Sequence, residues 1–462
     1  MATRVIRLLM VATLVCWEIG ASTARAQGLP LIRDSEIEDT IRSWADPLFQ
    51  AARLDPSSVR LLIVNDNSLN AFVAGGQNLF INSGLLVSAD TPGQIIGVLA
   101  HETGHISGGH LARSGDALRD AQNAGLFATL LGIGLIALGA ASGAGGAGEA
   151  GTAVIVGGQS AGLRNFLAYT RSQERSADQA AVDLLDRTQQ SSEGMLRFME
   201  KLSDQELLAS SRQDPYIRSH PLTRDRIEFI SEHARSSPYS DTPDRPEDIE
   251  RHERMRAKLI GFLERPARVL RTFYPTTDQS MPARYGRAVA YLRLSDADKA
   301  VAEMDSLIAE RPNDPYFYEL KGQILYELGR IRESVPMYQK AVELKPDDPL
   351  ILTGLGAALL ETGDPALVDP AIEALENARR FDVENPSTWR LLATGFHARG
   401  DDGPAALSSA EYALLIGRAQ DARLHVGRAE RIYDEGTPGW LRAQDIKLQA
   451  EQLFEMQKKA GR

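Results

Sequence analysis

The stretch "VLAHETGHISGGHLAR", residues 98–113, decides how the amino-terminal half of the chain is interpreted. It places His101 and His105 four residues apart, with Glu102 directly after the first histidine. In an α-helix, residues four apart lie one turn above each other on nearly the same face, so both imidazoles can point at one metal ion. Glu102 then projects beside the ion, where a carboxylate can accept a proton from water. The pattern predicts a helix that carries part of a metal-dependent hydrolytic site.

A catalytic zinc site needs a third protein ligand and one open position. His110 is the nearest further histidine, but on a continuous helix it faces roughly 100° away from the position that would complete the site. The stretch "TRSQERSADQAAVDLL", residues 170–185, offers a better candidate, because Glu174 and Asp178 lie four residues apart on a second amphipathic helix. One of them can bind zinc and the other can orient a ligand histidine through its ring N–H. Alone, the pair is typical of a solvated helix face; together with residues 101–105, it indicates a completed site.

The first 26 residues have the pattern of a cleaved export signal. They begin with Arg4 and Arg7, continue with an apolar run, and end in the small residues of "ARA". A membrane anchor is the alternative, although the apolar run is shorter than the roughly 20 residues that a span requires. Cys16 is the only cysteine of the 462 residues, so a mature chain without it has no thiol chemistry. We therefore expect a periplasmic protein, exported by residues 1–26.

Composition excludes one large class of partner. The formal net charge is −11 and no basic stripe is present, whereas a nucleic-acid surface needs clustered Lys and Arg. We therefore predict no nucleic-acid partner.

The chain length predicts more than one domain. Residues 27–265 combine long helical patterns with one strand-rich stretch, where residues 61–64, 71–73 and 79–81 are short β-prone runs separated by Asn, Asp and Gly. We predict an α+β peptidase domain with a small sheet, whose edge strand can accept an extended peptide near residues 71–76. Residues 266–280 are assigned to a linker.

Residues 281–455 carry a sequence repeat. Pro315 and Pro349 lie 34 residues apart, as do Pro312 and Pro346, and small residues such as Gly322 and Gly356 recur where paired helices must approach closely. Ala341 is a further small residue of this kind. An ordinary helical bundle is the alternative, but the period favours an α-solenoid of tetratricopeptide repeats and a mainly α protein. Such repeats present a concave surface, which implies a protein partner.

The segment between Asp120 and Glu149 contains no charged residue. Its apolar run, residues 124–141, approaches the length of a membrane span but has no basic flank to fix an orientation. Three interpretations stay open: a buried or membrane-apposed helical hairpin, an amphipathic element embedded in a membrane surface, and a true span. The segment therefore predicts contact with a membrane surface without deciding its form.

The sequence also resembles the zinc metalloproteases that include the CAAX prenyl protease and the heat-shock protease HtpX. The resemblance follows "LNAFVAGGQNLFINSGLL", "HETGHISGGHLAR", "ERSAD" and "SHPLTRDRI" in family order. It implies a zincin-like fold, peptide-bond hydrolysis and one Zn²⁺ per chain.

By matching position, the resemblance makes His101, His105 and Glu174 zinc ligands and Glu102 the general base. Asp178 matches a family aspartate that either orients a ligand or donates a proton, and the first role is favoured. His110 also aligns, and a structural hydrogen bond is the favoured role for it. His220 and Arg226 match the histidine and arginine of the family's "HP…R" segment.

His220 precedes a proline, which favours a loop position. A loop histidine near the metal can donate a hydrogen bond to the oxyanion, or it can occupy the fourth metal position; a packing role is the third possibility. We favour the second, with His220 as a metal ligand that blocks the site.

Two functions follow for the whole chain. The first is a periplasmic endopeptidase that degrades misassembled envelope or outer-membrane proteins, with the repeats holding a partner from the assembly machinery. The second is a chaperone or assembly scaffold whose repeats do the work while the zinc site stays latent. A digestion assay with and without chelator distinguishes them.

Overall fold

The computed structural model describes residues 30–74, 76–110, 171–206 and 220–460. The predicted export signal and the uncharged segment with residues 124–141 lie outside the described residues. Within them, no helix combines the length and the hydropathy needed to cross a lipid bilayer.

The amino-terminal domain contains one small mixed sheet. Its strands are β1 (Leu31–Ile32), β2 (Arg60–Val64), β3 (Ala71–Ala74) and β4 (Asn78–Asn82). The strand order is β1-β2-β4-β3, with β2 parallel to β4 and the other two pairs antiparallel. The small sheet predicted from the three β-prone runs is confirmed, and β1 adds a short strand that the sequence did not indicate. β3 lies at the edge of the sheet, with one neighbour among the described strands.

Helices cover this sheet and carry the rest of the domain. They are α1 (Ser35–Ala51), α2 (Ser83–Ser88), α3 (Pro92–Ser107), α4 (171–187), α5 (Glu193–Glu206), α6 (Arg224–Ser236) and α7 (Pro246–Leu263). Apolar side chains from α1, β4 and α3, among them Trp44, Leu79 and Leu99, form one buried core. This core fixes α3 against the sheet, so the histidines of α3 stand on a rigid element.

The sequence of α3 explains where that helix begins. Thr91 takes an extended conformation at the N-cap and Pro92 occupies the first turn, where its missing N–H costs no hydrogen bond. Gly97 lets α3 approach α5 closely, because a Cβ there would lie 2.6 Å from the Cβ of Met195.

A connecting segment follows α7. Residues 266–280, assigned to a linker from the sequence, begin with a helical turn at Pro266–Arg268 that continues as a π-helical turn at Val269–Phe273. Val269 is buried, so this segment packs against its neighbours.

The carboxyl-terminal part is a helical solenoid, as the repeat period predicts. Its helices are α8 (Met281–Arg293), α9 (Ala297–Glu310), α10 (Pro315–Glu327), α11 (Ile331–Leu344), α12 (Pro349–Glu361), α13 (Val368–Phe381), α14 (Pro386–Arg399), α15 (Asp402–Leu415), α16 (Ala419–Ile432) and α17 (Pro438–Ala460). Small residues stand at the closest helix contacts: a Cβ on Gly322 would lie 3.0 Å from the ring of Tyr338, and one on Gly356 would lie 2.5 Å from Leu375. The protein is therefore mainly α, with an α+β domain followed by repeats.

Candidate metal centre

Four buried side chains converge at one place in the amino-terminal domain. His101 and His105 come from α3, Glu174 comes from α4, and His220 comes from the loop before α6. One ligand atom from each lies within 4.8 Å of the others. Residues far apart in the sequence are therefore brought to one point by three separate elements.

The separations between these ligand atoms suit a single ion. The Nε2 atoms of His101 and His105 are 3.1 Å apart. Oε2 of Glu174 lies 3.4 Å from Nε2 of His101, and Oε1 of Glu174 lies 3.4 Å from Nε2 of His105. Nδ1 of His220 lies 3.3 Å from Nε2 of His101 and 3.2 Å from Oε2 of Glu174. A tetrahedron with about 2.0–2.1 Å from centre to vertex has edges of about 3.3–3.4 Å. The donor set therefore fits a tetrahedrally coordinated divalent metal.

Glu102 stands beside this group without a hydrogen-bond partner. Its side chain is fully buried, and among the described residues neither carboxylate oxygen accepts a hydrogen bond. Nε2 of His220 lies 3.4 Å from Oε1 of Glu102. Burial raises the pKa of Glu102, which makes its carboxylate a better proton acceptor. A buried carboxylate that accepts no hydrogen bond from the described residues, next to a group of possible metal ligands, is suited to act as a water-activating base.

Asp178 lies behind the ligand histidine. Its Oδ1 is 3.0 Å from Nδ1 of His101, on the side of the ring that faces away from the cluster. Burial opposes a charge on His101, but the hydrogen bonds with Asp178 and Glu174 outweigh it and raise the pKa of His101 to about 9. Asp178 therefore orients the imidazole so that Nε2 points at the cluster.

Arg226 connects the carboxylates of Asp178 and Glu174 to the loop that carries His220. Its Nε and Nη2 donate to both oxygens of Asp178 at 2.6 and 2.8 Å, and Nη1 lies 3.0 Å from Oε2 of Glu174. Nη1 also donates to the carbonyl of Pro221 at 2.9 Å. Burial opposes ionisation of Asp178, but the hydrogen bonds from Arg226 and His101 overcome it and lower the pKa of Asp178.

His110 is placed outside the cluster. Its Nδ1 lies 3.0 Å from Nδ1 of His105, the ring nitrogen of His105 that faces away from Glu174. Burial and the charge of His101 lower the pKa of His105 to about 2, so His105 is neutral and can act as a ligand. His110 thus contacts a ligand residue and does not itself supply a donor to the group.

Gly104 is a site residue to which the sequence analysis gave no role. A Cβ at this position would lie 2.8 Å from the carbonyl oxygen of Ala177 and 3.1 Å from its Cα. Only glycine lets α3 approach α4 this closely, and that approach brings Glu174 to the two histidines. Its position between the histidines of "HETGH" was the available signal.

These features are typical of a class of metalloproteases, in which one helix carries two histidines and a glutamate and the next helix carries a second carboxylate that could bind the same metal. Residues 32–234 match Peptidase family M48, and residues 267–315 and 322–363 match tetratricopeptide repeats. The chain thus carries an M48 peptidase domain followed by tetratricopeptide repeats.

Curated relatives agree with this assignment. The β-barrel assembly-enhancing protease of Escherichia coli (strain K12) is 26% identical over 410 residues, which cover 85% of this chain and 78% of the relative. The protein of the same name from Yersinia pestis is 25% identical over 396 residues, covering 85% and 79%. The chain is homologous to these proteases and is itself a metalloprotease.

Among solved structures, a double mutant of MamA covers 39% of this chain at 16% identity, with a TM-score of 0.30.

Proposed function

We propose that this protein is a periplasmic zinc endopeptidase that acts in the quality control of envelope and outer-membrane proteins. The convergence of four donor atoms beside the buried carboxylate of Glu102 carries the proposal. His101, His105 and Glu174 would hold one zinc ion, since two imidazoles and a carboxylate are a ligand set of catalytic zinc sites. When bound, zinc supplies Lewis acidity towards the scissile carbonyl.

The residues of the chain perform the proton transfers. Glu102 accepts a proton from the attacking water and returns it to the amine that leaves. Asp178 keeps His101 oriented through Nδ1, and Arg226 holds Asp178 in place. The substrate backbone would lie extended along β3, which forms an edge of the sheet and packs against α3.

Two observations support the cellular role. Residues 1–26 have the pattern of an export signal. The homologous proteases are named for enhancing β-barrel assembly, which suggests unfolded or misassembled β-barrel proteins as substrates. The repeats would hold a protein partner from the assembly machinery, and residues 124–141 would contact the membrane surface.

One observation favours the alternative, a scaffold with a latent zinc site. Nδ1 of His220 stands where a fourth ligand would stand, 3.2–3.3 Å from two other donor atoms. A site with four protein ligands has no open position for water. In that state the repeats would act as a chaperone or assembly scaffold.

Three matched Glu→Gln variants test the proposal, using digestion of an unfolded outer-membrane β-barrel protein and metal analysis by mass spectrometry. Glu102→Gln should retain about one zinc per chain and lose hydrolysis, because an amide cannot accept the proton. Glu174→Gln should lose zinc together with hydrolysis. Glu200→Gln, an exposed position on α5, should behave like the parent.

Chelation completes the test. Hydrolysis by the parent should stop when zinc is removed and return when zinc is restored. Normal turnover in Glu102→Gln would overturn its role as the base. If the parent binds zinc but digests no substrate, and replacing His220 does not start digestion, the result would support the scaffold instead.

A further inference from the structure

The first repeats are already occupied by the peptidase domain. Nη2 of Arg33 lies 2.8 Å from Oδ2 of Asp382, and Nζ of Lys345 lies 3.2 Å from Oδ1 of Asp39. Ser35, at the start of α1, donates to the buried carboxylate of Asp348. The ends of α11 and α13 and the start of α12 are therefore in contact with the peptidase domain, so we looked for a partner site further along the solenoid.

A second groove lies further along the solenoid, between α14, α15 and α16. We name it the distal groove; its volume is about 750 Å³ and its lining comes entirely from residues 390–432. Arg390, Ala393 and His397 face it from α14 at helical spacing, as do His425 and Arg428 from α16. One side of α14 and one side of α16 thus line the distal groove.

The floor and rim of the distal groove are apolar. Ala406 and Ala413 of α15 form part of the floor and are buried. Ile416 and Ile432 stand at the rim with 37% and 50% of their surfaces exposed. Exposed isoleucines beside a cavity favour contact with an apolar side chain of a ligand.

The charges of the distal groove are unbalanced. Its charged lining residues are Arg390, Asp402, Arg418, Asp421, Arg428 and Arg431. Arg418 approaches Asp421 only to 3.8 Å, and within the described part of the chain Arg390, Arg428 and Arg431 form no ion pair. Elsewhere in the solenoid, arginines such as Arg399 are paired with carboxylates. In a chain of net charge −11, a lining with four arginines and two aspartates is a local excess of positive charge.

We propose that the distal groove binds an extended acidic peptide segment of a partner protein. The planar guanidinium forks of Arg390, Arg428 and Arg431 suit carboxylates, which they can bind through two hydrogen bonds each. Small apolar side chains of the same segment would rest on the alanine floor. Tyr412 is the only Phe, Tyr or Trp in the lining, so the groove lacks the stacking surface that single-stranded nucleic acids use. The proposal is independent of the metal site.

Fluorescence anisotropy with the full chain tests this, in the Glu102→Gln background so that no peptide is cleaved. The probes are a labelled peptide of alternating Glu and Leu and a matched peptide of alternating Gln and Leu. The acidic peptide should bind at low salt and weaken as salt rises, since exposed charges are screened. The double variant Arg428→Glu/Arg431→Glu should weaken binding by about tenfold or more.

Two further variants keep the result interpretable. Arg428→Gln/Arg431→Gln removes the charge without repulsion and should also weaken binding, if the reversal variant does not fold. Arg271→Glu/Arg332→Glu alters two exposed arginines outside the distal groove and should bind like the parent. The proposal is overturned if the Gln peptide binds equally well or if the control variant loses equal affinity. Absence of peptide binding, or a dT oligonucleotide binding more tightly than the peptide, would overturn it as well.

Discussion

At the scale of single residues, Arg226 joins the carboxylates of α4 to the loop that carries His220. It donates to both oxygens of Asp178, lies 3.0 Å from Oε2 of Glu174 and donates to the carbonyl of Pro221. With 3% of its surface exposed, it is buried among these partners. A buried arginine with bidentate geometry fixes its partners more firmly than a lysine could. The position of the His220 loop thus depends on the same contacts that fix the ligand carboxylate.

Replacing His220 distinguishes a blocking role from a catalytic one. Because Nδ1 of His220 stands among the donor atoms, we expect His220→Ala to open the fourth position. Zinc should remain, held by three ligands, while peptide hydrolysis and self-cleavage rise severalfold. Hydrolysis rates, zinc content and autolysis on gels are the measurements, and His397→Ala, an exposed histidine of the solenoid, is the control. A lower rate with zinc retained would show that His220 assists catalysis, and an unchanged rate would leave it only a packing role.

At the scale of secondary structure, the site depends on how closely α3 and α4 approach. His101 and His105 lie on one helix and Glu174 lies on the other, so a change in helix separation moves the ligands apart. Gly104 is at this contact, where a Cβ would lie 2.8 Å from a backbone oxygen of α4. A backbone atom cannot move aside as the end of a side chain can.

We therefore expect Gly104→Ala to weaken zinc binding although it changes no ligand. Forcing a methyl group into this contact should destabilise the fold by about 1–3 kcal/mol and lower zinc affinity by about tenfold. Competition with a chromophoric chelator measures the affinity, and thermal unfolding measures the stability. Gly427→Ala is the matched control, because a Cβ there meets no atom closer than 4.0 Å and alanine is the better helix former. Equal zinc affinity in Gly104→Ala and the parent would contradict this account.

A second element-level feature is His252, which lies buried in α7. Burial and the nearby charge of Arg256 lower its pKa from 6.5 to about 4, although the carbonyl of Ala89 and the charge of Asp90 oppose this. Because the folded-state pKa lies below the unfolded value, the fold has its full stability only above pH 6.5, where His252 is neutral in both states. That stability is lost as pH falls from 6.5 towards 4, by about 3 kcal/mol in all.

We expect His252→Gln to show a smaller loss of stability between pH 7 and pH 4.5 than the parent does. Urea unfolding at several pH values measures the difference, and His397→Gln, at an exposed position, should follow the parent. The comparison with the parent cancels contributions from the metal-site histidines. Parallel curves for His252→Gln and the parent would show that His252 does not titrate in this range.

At the scale of the whole molecule, local patterns predicted the elements but not their contacts. The 34-residue period and the small residues Gly322 and Gly356 indicated the solenoid, because each repeat obeys a local rule. The spacing of "HETGH" likewise predicted two histidines on one helix face. The contact of Arg226 with Glu174, and the closeness of α3 and α4 at Gly104, join residues far apart in the sequence. Tertiary packing decides such contacts; the glycine within "HETGH" was a signal for close approach, but no local pattern names the residue it meets.

The junction between the two domains is also formed by contacts between residues far apart in the sequence. Lys258 of α7 is fully buried, with Nζ 2.8 Å from Oδ2 of Asp34 and 3.4 Å from Oε2 of Glu319. Arg254, one turn earlier, lies 2.6 Å from both Glu36 and Asp314. Each cation is thus shared between a carboxylate of the peptidase domain and one of the repeats. Removing one partner of a buried ion pair costs several kcal/mol, because the remaining charge stays uncompensated.

The sequence predicts that residues from about 281 onward can be deleted without loss of the zinc site, and the junction refines this prediction. The donor atoms of the site come from residues 101–220, so a chain ending at residue 280 should still bind one zinc. It should nevertheless unfold at a lower temperature, because Lys258 and Arg254 lose Glu319 and Asp314. Zinc content and calorimetric unfolding of the shortened chain are the measurements. In the full chain, Asp314→Asn/Glu319→Gln should reproduce much of the destabilisation while the repeats stay folded. Loss of zinc on truncation would contradict an independent peptidase domain, and an unchanged melting temperature would contradict the stabilising role of the junction.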